Sequence, residues 1–82
     1  MYDLLKNNII PVPDISTYEI ELKSGGCVIV RACTFEMFEY AGVPYFEFFL
    51  FDIQVFVIFE ENLLSINEIR EGRLYPIYFV ED

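Results

Sequence analysis

Residues 45–59, YFEFFLFDIQVFVIF, contain only three polar side chains: Glu47, Asp52 and Gln54. A strand with one face on a core and the other in water alternates apolar and polar residues, because successive side chains point to opposite faces. This run does not alternate. Phe49, Phe51, Ile53, Val55, Val57 and Phe59 share one parity, while Phe46, Phe48, Leu50, Phe56 and Ile58 share the other. A chain of 82 residues seldom covers two such faces from its own layers. One face is therefore expected to be covered from outside its local sheet, by a second copy, a partner, or a late segment such as residues 74–80.

The run is too short and too charged for a membrane-spanning helix, which needs about 20 apolar residues. The first residues, MYDLLKNNIIPVPD, lack the pattern of a signal peptide, since Asp3 comes early and no small-residue cleavage site follows. A cytoplasmic protein with no membrane partner is expected. Cys27 and Cys33 would lie about 20 Å apart along one straight strand, beyond disulfide reach. Two buried free thiols fit a reducing compartment.

The rest of the chain is punctuated for short strands. Pro11 and Pro13 force an extended path after a short helical turn expected over residues 2–8. In residues 17–23, TYEIELK, Tyr18, Ile20 and Leu22 alternate with Glu19, Glu21 and Lys23. Ser24, Gly25 and Gly26 then supply a tight turn, and residues 27–35 return as the second strand of a hairpin. Ala41, Gly42, Val43 and Pro44 form the next break. Residues 45–60 form either one long bent strand or, as the usual limit of about ten residues per strand favours, two strands over residues 45–51 and 53–60 that reverse near Asp52. Residues 63–69 suit a strand or a helical turn. A turn at Glu71, Gly72 and Arg73 leads to a last strand over residues 74–80, which Pro76 assigns to a sheet edge. The expected fold is one mainly β domain of five or six short antiparallel strands, forming a small barrel or rolled sheet.

The segments YEIELKSGGCVIVRA and VFVIFEENLLSINEI resemble small β-barrels of the Sm-like type, over about half of the chain. The resemblance implies an opening hairpin and a short final strand after a tight turn. It carries no function, because the RNA-contacting positions of that family have no match here.

Composition narrows the chemistry further. There is no histidine, which removes Ser-His-Asp and Cys-His nucleophilic systems and the commonest zinc ligand. Two cysteines cannot complete a four-ligand zinc site within one chain, and no glycine-rich loop is followed by the lysine of a phosphate cradle. No enzymatic activity, metal or cofactor is expected. Fourteen acidic against five basic residues give a formal charge of −9. That field repels nucleic acid and anionic membranes and favours basic partners.

Glu19, Glu21, Glu60 and Glu61 are the candidate partner-binding residues. Two readings of these acids remain open: solubility for a very apolar chain, or a surface that imitates the phosphate track of nucleic acid and engages the basic surface of a nucleic-acid-binding protein. In size and acidity the chain is similar to phage-encoded inhibitors of bacterial defence, anti-CRISPR proteins among them, which implies the second reading. Structural homo-oligomerisation and small-molecule binding are the alternatives. Self-association as a homodimer is expected through Phe46, Phe48, Phe56 and Ile58.

Overall fold

Strand β1 (Ser16–Leu22) opens the computed structural model, which describes residues 14–80. It is followed by β2 (Cys27–Ala32), β3 (Thr34–Tyr40), β4 (Val43–Leu50), β5 (Ile53–Phe59), a 3-10 turn (Glu60–Asn62), β6 (Leu63–Arg70) and β7 (Arg73–Phe79). All neighbouring strands are antiparallel. They form a four-stranded sheet in the order β2-β1-β6-β7 and a three-stranded sheet in the order β3-β4-β5. The helical turn expected over residues 2–8 lies outside the described residues.

The alternation of β1 works as its pattern demands. Tyr18 and Ile20 are buried, and the interposed Glu19 and Glu21 face the opposite side. Gly25, at φ +104°, closes the first hairpin, with its N–H donating to the Leu22 carbonyl at 2.9 Å. The 63–69 segment resolves as a strand, not a helical turn, because β1 and β7 flank it on both sides. β7 lies at a sheet edge, as Pro76 requires.

Two departures from the expected fold share one cause. Residues 27–35 do not form a single strand: the chain bends at Cys33 and leaves one sheet for the other. Ala32 is the last residue paired with β1, opposite Ser16, and Thr34 is the first paired with β4, opposite Phe49. The Cys33 N–H donates to the Phe49 carbonyl at 2.7 Å. The inward parity switches there. Val30 and Ala32 point into the core from even positions of β2, whereas Phe35 packs against it from an odd position of β3. The described residues consequently form seven strands, not five or six, and two sheets in place of a closed barrel.

The aromatic run is a hairpin, reversing at Phe51 and Asp52 between β4 and β5. Phe51 holds φ +57°, a costly conformation for a bulky side chain. The β3–β4 turn has Ala41 at φ +52° and Gly42 at φ +82°. Two consecutive positive φ values match the right-handed twist of the flanking strands, a geometry in which Asn-Gly is strongly favoured.

One face of the run forms the core between the sheets. Phe46, Phe48 and Ile58 are buried against Tyr18, Ile20, Val30, Leu63 and Ile66. The Phe35 and Phe48 rings stack with centroids 5.0 Å apart, and Tyr18 meets Phe48 edge-on at 5.5 Å. From β7, Tyr78 reaches Phe46 at 4.9 Å, and Val80 packs against the same core. The late segment thus contributes Tyr78 and Val80 to this face, while Ile77 and Phe79 are exposed.

Phe48→Ala should destabilise the fold by about 3–5 kcal/mol, the usual cost of emptying a buried phenylalanine site, measured by urea unfolding. Ala41→Asn touches only an exposed turn and should stabilise by roughly 0.5 kcal/mol, since asparagine tolerates positive φ better than alanine. The same measurement checks both.

Candidate functional site

The four candidate acids occupy two neighbouring places. Glu19 and Glu21 lie on the outward face of β1, opposite Asn67 and Ser65 of β6. Glu60 and Glu61 lie on the 3-10 turn that leads into β6. The Lys23 backbone N–H donates to the Asn62 carbonyl at 3.0 Å, and Leu22 pairs with Leu63. These links seat the turn at the C-terminal end of β1. Glu21, Glu60 and Glu61 therefore share one end of the four-stranded sheet, with Glu19 one outward position further back. The arrangement is an acidic end, not a flat acidic track.

Two of the four carboxylates are held in place. Glu21 Oε1 accepts a hydrogen bond from Ser65 Oγ at 2.5 Å, and Ser65 Oγ accepts one from Asn67 Nδ2 at 3.0 Å. Ser65 and Asn67 are buried, at 8% and 6% exposure, and a buried polar group needs such partners. The polar parity of β6 in SINEI, set against the polar parity of β1, is the sequence signal for this chain of bonds. Glu60 Oε2 accepts from Tyr78 Oη at 2.6 Å, joining the turn to β7. Glu61 is exposed.

The candidate self-association residues point their side chains toward the interior of the single chain. Phe46, Phe48 and Ile58 are buried in the core of the single chain, and Phe56 packs against that core. Their parity faces the four-stranded sheet, because β4 turns Glu47 to the other side. There Glu47 Oε1 accepts from Gln54 Nε2 at 2.9 Å. On that outer face Glu36 and Thr34 of β3 lie opposite Glu47 and Phe49, and Gln54 joins them only because the bulge at Val55 shifts its parity.

The outer face is nevertheless largely apolar. Tyr40, Tyr45, Val57 and Phe59 line a shallow cleft of about 180 Å³. Small-molecule pockets usually span about 300–1,000 Å³, so this cleft is small for a metabolite. Phe38 stacks on Tyr45 at 5.7 Å, and Phe59 meets Tyr45 edge-on at 5.8 Å.

Both cysteines are free, but they are not both buried: Cys27 is exposed on its edge strand and Cys33 is half-buried at the crossing. Among the described residues, no group of three or more His, Cys, Asp or Glu side chains is placed to hold a metal ion. No helix among them is long and apolar enough to cross a membrane. No protein-family model, curated protein or solved structure matches this chain.

Three tyrosines are pushed above their ordinary value of 10.0. For Tyr78 the leading cause is its hydrogen bond to Glu60, which a phenolate cannot donate. For Tyr18 and Tyr45 the leading cause is desolvation, with nearby Glu68 and Glu47, respectively, adding repulsion. A folded-state value above the unfolded one stabilises the fold below about pH 10 and is lost as pH rises through the folded value. Unfolding midpoints should therefore fall above about pH 10. Tyr78→Phe should lower the neutral-pH midpoint, by removing the bond to Glu60, and make the alkaline fall shallower. Denaturant titrations at a series of pH values check both effects.

Proposed function

We propose that this chain is a non-enzymatic acidic binding protein whose partner is the basic surface of a larger, nucleic-acid-binding protein. The observation that carries the reading is the convergence of Glu21, Glu60 and Glu61 on one end of the four-stranded sheet, in a chain of net charge −9. Carboxylates held by Ser65 and Tyr78 lose less side-chain freedom on binding than free ones, which lowers the cost of association. A negative field also steers a positive partner toward them and repels nucleic acid itself. An inhibitor that occupies a nucleic-acid groove, of the phage or mobile-element kind, is the role that suits this combination of size, charge and fixed acids.

The test is affinity capture from a host lysate at low and high salt, with the bound proteins identified by mass spectrometry. The comparison variant is Glu19→Lys combined with Glu61→Lys, because neither side chain makes the bonds that hold Glu21 and Glu60. Capture of a basic nucleic-acid-binding protein, weakened at least about tenfold by salt and by the double reversal, is the expected result. Capture that ignores both salt and charge reversal counts against the proposal.

A further inference from the structure

A sheet edge, unlike an apolar face, specifies what can cover it. Its unpaired N–H and C=O groups require another extended strand. The two sheets present four edges: β2, β7, β3 and β5. Three carry the usual protections against pairing. β7 contains Pro76 and a register shift beside it, β3 contains Glu36 and Glu39, and β2 contains Arg31. β5, IQVFVIF, contains no charge, proline or glycine. Among the described residues it pairs only with β4.

We infer that β5 is a self-pairing edge, and that two copies of this chain join β5 to β5 antiparallel into one continuous six-stranded sheet. Three observations select a second copy over a foreign strand. First, each copy carries −9, so two copies approach with least repulsion along a segment without charge. Second, a strand rich in basic residues, which the field of this protein would otherwise attract, finds no counter-charge on β5. Third, antiparallel pairing of identical strands is two-fold symmetric and closes on itself, leaving no further β5 edge to propagate a fibre. Val55 is the extra residue of a bulge, since Phe56 pairs with Phe48 and Gln54 with Phe49. Regular pairing therefore centres on residues 56–59. Val57 and Phe59, 39% and 44% exposed on the outer face, would meet their symmetry mates there and extend the apolar cleft of each copy across the junction. This inference stands apart from the proposed partner, which engages the other sheet.

Sedimentation equilibrium of the full chain over a wide concentration range tests it, together with two variants. The wild type should show twice the 9.7 kDa mass of one chain, at low and high salt alike. Val57→Lys places like charges at the junction and should weaken association by at least about tenfold. Ile29→Lys, on the outward face of β2 and 55% exposed in the same sense, should leave the dimer intact. Hydrogen exchange on the wild type provides a readout that does not depend on a variant folding. Amides of residues 53–59 should become protected as concentration rises, whereas those of β7 should not. A single-chain mass at every concentration would overturn the inference. So would a dimer lost with Ile29→Lys but kept with Val57→Lys, or protection that rises on β7 in place of β5.

Discussion

Phe46 and Phe48, on the central strand of the smaller sheet, hold the two sheets together. They meet Tyr18 from β1, Phe35 from β3 and Tyr78 from β7, so one pair of rings touches both layers. Burying each phenylalanine contributes about 1.5–3 kcal/mol, and each favourable ring contact adds about 0.5–1.5 kcal/mol. Ile58, with Ile20, Val30, Leu63 and Ile66 of the larger sheet, completes this contact. The backbone links them at the Cys33 crossing and through the 3-10 turn, and the side-chain bond from Tyr78 to Glu60 ties that turn to β7. The position of every surface in the molecule depends on this aromatic contact.

A core of this kind covers only one side of each sheet. Among the described residues, nine hydrophobic side chains are buried and sixteen large ones are exposed. Contiguous exposed apolar area of large extent commonly marks interaction surfaces. The chain carries a net charge of −9, and the hydrogen bonds of Ser65 and Tyr78 fix where part of that charge sits. Charge and bare edge separate in space: acids gather at one end of the larger sheet, and the uncharged edge strand lies on the smaller one.

Much of this was legible in the chain. The alternation of β1, the glycine turns, the reversal near Asp52 and the edge position of Pro76 all follow from local rules, because each depends on a few adjacent residues. The crossing at Cys33 was not legible as an end of a strand, since no glycine, proline or polar cluster marks it. Its only trace is the parity slip from Val28, Val30 and Ala32 to Phe35, which reads as a bulge as easily as a change of sheet. Phe46, Phe48 and Ile58, expected with Phe56 to form a dimer surface, are buried within the single chain, and a related reason hid this. Both parities of the run are apolar, so hydrophobicity alone could not rank them; Glu47 keeps the outer parity in sequence, whereas Gln54 reaches that face only through the bulge at Val55.

By itself the sequence determined that the chain is mainly β, that residues 45–59 carry two dry faces, and that a strong negative field surrounds them. These are properties of composition and period. Only the tertiary structure decided which dry face the chain could cover. The physical reason is that the second layer consists of four strands with one apolar side: Tyr18, Ile20, Val30 and Ile66 bury a single face of the run. Tyr45, Val57 and Phe59 have no layer of their own chain above them among the described residues. The lack of alternation in the run therefore records an inner contact made within one molecule and an outer face that the described residues leave exposed.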